Sequence, residues 1–103
     1  MFNDPPSSWD WRSVNNVMGR AKDQGNCGGS HAFTTAYVVG AHFGIEMDRL
    51  RTFSKQQIVD CCYRPRYKAY GCSGGWVDHT LRYANDLGMM IEKAYPFKAR
   101  QQK

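Results

Sequence analysis

From Ser30 to about Leu50, apolar positions recur every three or four residues, and Phe33, Ala36, Tyr37, Gly40, Phe43, Met47 and Leu50 fall on one side of a helix. The spacing predicts a long, buried central helix. Gly40 inside it costs about 1 kcal/mol relative to alanine, so it marks a close approach of another element. Ser54-Lys55-Gln56-Gln57 has the form of a capping box ahead of Ile58-Val59, which predicts a short second helix from Ser54 to about Cys62. Val77, Leu81 and Ala84 align along a third helix over Trp76 to Leu87, with Gly88 as its stop. Met89-Met90-Ile91 reads as a short strand, and Tyr95-Pro96-Phe97 as a turn before a polar tail.

The segments between these elements carry the punctuation. Residues 1–8 are polar with Pro5-Pro6 and read as an extended surface arm. Trp9 and Trp11 would pin that arm to the core, because their large apolar area is wasted in solvent. Arg64 to Ala69 reads as a loop, closed by Gly71-Cys72-Ser73-Gly74-Gly75, where backbone can approach something closely. Lys22 to Phe33 is a glycine-rich loop that tips into the central helix, which places Ser30 at a helix N-terminus. Unpaired N–H groups and the helix dipole there favour an anionic nucleophile or a developing oxyanion.

Composition narrows the classes. A chain of 103 residues is long enough for one core and too short for two. The net charge of +5 is spread along the sequence, with Arg64 to Lys68 as its one dense cluster. That cluster reads as a solvated loop before it reads as a nucleic-acid or acidic-partner contact. No run is long and apolar enough for a membrane span, and the first residues lack the basic and apolar regions of a signal peptide. Cys27, Cys61, Cys62 and Cys72 allow three full pairings, and sequence alone does not choose among them. Four cysteines in so short a chain suit an oxidising compartment, whereas the absent signal argues the other way.

Gln24-Gly-Asn-Cys-Gly-Gly-Ser-His-Ala-Phe33 resembles the active-site stretch of the papain-like cysteine peptidases, Gln-Gly-x-Cys-Gly-Ser-Cys-Trp-Ala-Phe. Asp10-Trp11-Arg12, Phe53 to Cys61, Gly71 to Gly75 and Tyr95-Pro96-Phe97 resemble further motifs of that family in the same order and spacing. The resemblance implies an α+β fold, the mostly helical left domain of a two-domain peptidase, as a single unit over residues 1–103. The right, barrel-like domain, with the family's catalytic histidine and asparagine, is expected to be absent from this chain. The family further implies a lysosomal, vacuolar or secreted setting.

Residue by residue, the resemblance implies that Ser30 stands where the family carries its nucleophilic cysteine and that Gln24 stands at the oxyanion-hole position. Gly74 and Gly75 match the loop that hydrogen-bonds extended substrate backbone, and Trp76 falls where the specificity pocket is shaped. Cys27 and Cys72 match a family disulfide. Cys61 matches a cysteine whose family partner follows the Tyr-Pro-Tyr turn, where this chain offers none, so Cys61 and Cys62 are free, bonded to another chain or joined to each other. A hydroxyl, unlike a thiol, is not drawn into its anionic form by a helix N-terminus and needs an aligned base. His31 cannot supply it, since adjacent helical residues do not face each other, and it replaces what is read as a cleft-lining tryptophan. Gly29 also replaces the family's serine, and three departures in a row favour natural divergence over an engineered knock-out.

The expectation is therefore a non-catalytic papain-like homologue serving as an interaction or structural subunit, without cofactor. A second polypeptide would cover the face normally packed on the right domain, and a peptide ligand could lie in the groove. The other reading is a light chain of an endopeptidase whose histidine and asparagine come from another chain. A zinc site from Cys27, His31, Cys61, Cys62 and Cys72 has the ligand types but lacks the paired spacing of metal knuckles. His42 and His79 read as partly solvated helix residues.

Overall fold

The computed structural model describes residues 5–62, 67, 69–100 and 102. The basic cluster Arg64 to Lys68, Tyr67 excepted, and the start of the N-terminal arm lie outside the described residues.

Three α-helices carry the fold: α1 over Ser30–Met47, α2 over Lys55–Cys61 and α3 over Val77–Leu87. Among the described residues there is no strand. Met89 to Ile91 contributes only a single antiparallel bridge, Ile91 to Phe53, framed by hydrogen bonds from Ser54 N–H to the Met90 carbonyl and from Glu92 N–H to the Thr52 carbonyl, both 2.8 Å. The pairing stops there because Ser54 opens α2 on one side and Glu92 starts a 3-10 turn on the other.

Helix α1 ends at Met47, earlier than the pattern predicts, on Asp48 in the left-handed conformation at φ 54°. Met47 and Leu50 are consequently exposed. The helix is enclosed on several sides and buries small or polar residues outside the predicted stripe, including Ala32, Thr35 and Gly44. Gly40 does mark a close approach: a Cβ there would lie 2.9 Å from the Arg51 carbonyl oxygen. Gly44 marks a tighter one, where a Cβ would collide with the backbone of Asn16.

Helix α2 starts as predicted at Ser54, whose Oγ accepts from Gln57 N–H at 3.0 Å and donates to the Tyr95 carbonyl at 2.6 Å. The reciprocal half of the capping box is not made. Gln57 instead donates to Tyr83 Oη and the Gly88 carbonyl and accepts from Met90 N–H. The whole of α2 up to Asp60 is buried, polar residues included. Gln56 and Asp60 reach across to the chain beyond Tyr95, accepting from Lys98 and Gln102 N–H and, through Gln56 Nε2, donating to the Arg100 carbonyl. The tail that reads as merely polar is held along α2 by its own backbone groups.

Helix α3 turns a different stripe inward than the one predicted. Thr80 and Tyr83 are buried, while Val77, Leu81 and Ala84 are half-buried. Thr80 Oγ1 lies 2.6 Å from Thr35 Oγ1, a paired hydroxyl contact that joins α3 to α1. The core gathers Ile58 and Val59 from α2 and Cys62 just after it with Ala32, Cys27, Ala69 and an edge-on Tyr67–Tyr83 pair.

Trp9 and Trp11 do not pin the arm to this core. They meet each other edge-on at 5.5 Å and stay 62% and 42% exposed. Asp10 between them accepts from Arg12 N–H and pairs with the Arg12 guanidinium, which holds its carboxyl down at about 2.

Candidate active site

The loop before α1 is built from local hydrogen bonds. Asp23 Oδ1 accepts from Gly25 N–H at 2.8 Å, Gly25 turns at φ 63°, and Gln24 Nε2 donates to the Cys27 carbonyl at 2.6 Å. The same carbonyl accepts from Gly29 N–H at 2.7 Å, and Gly29 caps α1 by accepting from Ala32 and Phe33 N–H. Ser30 is thus the first residue of α1, exposed, with the helix N–H groups around it.

A second loop is clamped against the first. Cys27 and Cys72 form a disulfide across a sequence separation of 45, and Gly28 N–H donates to the Cys72 carbonyl at 2.9 Å. A Cβ at Gly28 would sit 2.6 Å from that oxygen, so glycine is what lets the two loops touch. Residues 71–73 form a 3-10 turn that leaves through Gly74 at φ 110°, where a side chain would meet nothing within 4 Å. Gly75 is confined: a Cβ would lie 3.0 Å from Ala69 Cβ and 3.1 Å from His31 Cγ. Neither its N–H nor its carbonyl is hydrogen-bonded among the described residues. Trp76 follows as the extended residue before α3, 70% exposed. The loop that leads into Ser30 and the loop that leads into Trp76 are therefore joined by a covalent link and by the Gly28–Cys72 hydrogen bond.

His31 corrects the sequence reading. It does not line a cleft; it is 2% exposed, and its Nε2 lies 2.9 Å from the Gly71 carbonyl. One residue after Ser30 on a helix, it points into the core, where it supports the 71–75 loop from below. Its Nδ1 and that of His79 are buried without a hydrogen-bond partner among the described residues. His42 is exposed twelve residues along α1, about 18 Å from Ser30 at 1.5 Å per residue. No histidine among the described residues is hydrogen-bonded to Ser30.

Cys61 is exposed and free, and Cys62 is buried and free, its thiol pushed up to about 11 by burial and then by the neighbouring Cys61. They are not joined to each other. Among the described residues no group of His, Cys, Asp or Glu is arranged to hold a metal ion. Among the described residues no helix is long and apolar enough to cross a membrane. The supports that pattern reading missed are the Gly28–Cys72 contact and the buried His31; the six glycines around Cys27 and Cys72 were the visible signal for the first, and none pointed to the second.

A family model described as papain family cysteine protease matches residues 5–103. The chain belongs to the papain family of cysteine proteases. Over 93 residues it is 43% identical to digestive cysteine proteinase 1 of Homarus americanus, covering 88% of this chain and 28% of that protein. It is 41% identical over 95 residues to cathepsin L of Sarcophaga peregrina, covering 90% and 27%. Among solved structures, digestive procathepsin L 3 of Tenebrio molitor superimposes with a TM-score of 0.81 at 40% identity over 90% of this chain and 29% of that one. The Carica candamarcensis cysteine protease CMS1MS2 in complex with E-64 gives 0.87 at 28% identity over 96% and 44%. The chain spans less than a third of the length of the two curated relatives. It represents the helical left part of the papain-family fold, and the disulfide between its two site loops is the pairing that the family resemblance implied.

Proposed function

We propose that this papain-family domain binds polypeptide without cleaving it, with Ser30 as an inert remnant of the nucleophile and the 71–76 loop as a backbone-pairing wall. The relatives are cysteine proteinases and cathepsins by name, and a cysteine proteinase acts through a thiolate. The position that would carry it here holds a hydroxyl, which needs a general base in hydrogen-bond reach. The observation that carries the reading is the head of α1, where the position matching the family's thiol presents the hydroxyl of Ser30.

Binding is a separate matter from turnover. The open N–H and carbonyl of Gly75 offer an extended peptide a strand-like pairing edge, with Trp76 exposed beside it. Tyr70 and Trp76 flank the loop, 53% and 70% exposed, and supply apolar area for a polypeptide that covers the wall. Gln24 keeps the oxyanion-hole position, but its amide is already donating to the Cys27 carbonyl.

The test is to incubate the protein with a fluorogenic peptide and with an epoxide-type thiol-directed probe. The native serine form is expected to give no turnover and no probe attached at Ser30, any label found by peptide mapping being on the exposed Cys61 thiol. Measurable cleavage that Ser30→Ala abolishes would overturn the reading.

A further inference from the structure

The backbone of the 71–75 loop is held in two places and loose between them. Gly28 N–H and the disulfide fasten Cys72, while Ser73 N–H donates to the Tyr70 carbonyl at 2.9 Å and Tyr70 N–H to the Gly74 carbonyl at 2.8 Å. Past these bonds the chain leaves through Gly74, at φ 110° with nothing within 4 Å of the place a Cβ would take, which is a permissive pivot. Gly75 follows it with neither its N–H nor its carbonyl hydrogen-bonded among the described residues.

The side chain that reaches both sides of this pivot is His31. Its Nε2 lies 2.9 Å from the Gly71 carbonyl on one side, and its Cγ and Cδ2 would stand 3.1 and 3.2 Å from a Cβ on Gly75 on the other. The ring is rooted in the first turn of α1, where Thr80 Oγ1 of α3 reaches its carbonyl at 3.5 Å. The two ring nitrogens also fix the sense of the contact. A carbonyl oxygen only accepts, so the ring proton is on Nε2. Nδ1 is buried and meets no hydrogen-bond partner among the described residues, so a proton moved there would lose the Gly71 bond and gain none.

We propose, building on the reading of this loop as a peptide-pairing wall, that His31 is the positioning residue of the wall: its Nε2–H, donated to Gly71, sets where the N–H and carbonyl of Gly75 point, and so how well an extended peptide pairs with them. What separates positioning from mere filling is the donor. An apolar ring of similar size would occupy the volume and leave the Gly71 carbonyl without this bond.

The experiment compares the native protein with His31→Gln, His31→Asn and His31→Phe. The glutamine amide extends about as far from the backbone as Nε2 and keeps a donor for Gly71, the asparagine amide extends only about as far as Nδ1, and phenylalanine fills the space with no donor. Affinity for a labelled, end-blocked hexapeptide of alternating leucine and serine is read by anisotropy, and the setting of Gly75 by its amide peak in nitrogen-15 correlated NMR spectra. His31→Gln is expected to bind within about twofold of the native protein, and the other two variants about tenfold more weakly with the Gly75 peak displaced. Long-range NMR of the native ring, which needs no variant to fold, is expected to show the proton on Nε2. A proton on Nδ1 instead, or affinities and Gly75 peaks that follow ring volume, with phenylalanine native-like and glutamine not, would overturn the proposal. If the native protein does not bind the peptide, the wall reading fails, and the Gly75 peak decides the positioning role by itself: displaced in His31→Asn and His31→Phe but not in His31→Gln, it supports that role; unmoved in all three, it overturns it.

Discussion

The imidazole Nε2 of His31 lies 2.9 Å from the carbonyl oxygen of Gly71, forty residues further along the chain, and the ring fills the space that a Cβ on Gly75 would need. One side chain thus holds the 71–75 loop by a hydrogen bond and by contact at once. His31→Ala is expected to destabilise the protein by about 2–4 kcal/mol, through a lost buried hydrogen bond and an unfilled volume. Gly75→Ala is expected to cost about 1–3 kcal/mol by overpacking against Ala69 and the ring. Urea unfolding of the two variants measures both, and a neutral His31→Ala would refute the supporting role.

The Cys27–Cys72 bond closes a long loop, so its loss acts mainly on the unfolded chain. Reduction, or Cys72→Ala, is expected to cost about 3–4 kcal/mol. The midpoint of thermal unfolding with and without dithiothreitol reads the effect directly.

The two remaining thiols should differ sharply in reactivity. At pH 8 an alkylating reagent is expected to modify Cys61, which is exposed, and to leave Cys62 untouched until the pH nears 11 or the protein unfolds. The sign follows from burial. The folded thiol holds its proton above the ordinary 9, so stability is unaffected below that value and falls as pH rises from there towards 11. Peptide mapping by mass spectrometry distinguishes the sites, and equal labelling at pH 8 would contradict the buried placement.

Tyr95 gives a second alkaline signal. Its hydroxyl donates to Asp60 Oδ2 at 2.6 Å, and that acceptor, followed by burial, holds the phenol well above its usual 10. The stabilising contribution is fully present below pH 10 and lost as pH rises through the raised folded value. Ultraviolet titration of the native protein against Tyr95→Phe is expected to show that the residue removed is among the last to ionise; superimposable curves would contradict the bond.

Much of the fold was legible because apolar spacing and helix boundaries are local properties. Ser54 caps α2 and Gly88 closes α3 as their sequence positions indicate, and Gly40 sits where a neighbour presses close. What failed depended on partners far along the chain. Thr80 takes the buried stripe of α3 from its apolar neighbours because Thr35 satisfies its hydroxyl, and nothing in the local pattern names Thr35. Gln56, Gln57 and Asp60 look like surface residues, yet each is buried against backbone groups more than thirty residues away. Trp9 and Trp11 illustrate the opposite failure, since large rings suggest burial while these two find mainly each other. In the candidate site, loop chemistry placed Ser30 at the helix start, but the inward turn of His31 followed only from packing against Gly71 and Gly75.

The clamp between the two site loops has an effect on how damage to the domain would look. A protease cut anywhere between residues 28 and 71 leaves two pieces that remain tethered through Cys27 and Cys72, and so migrate as one band until a reductant separates them. Nicked material would therefore pass unnoticed on a non-reducing gel, and a cut between α1 and α2 would sever the piece bearing Ser30 from α2 while the disulfide keeps the loop carrying Gly75 fastened to it.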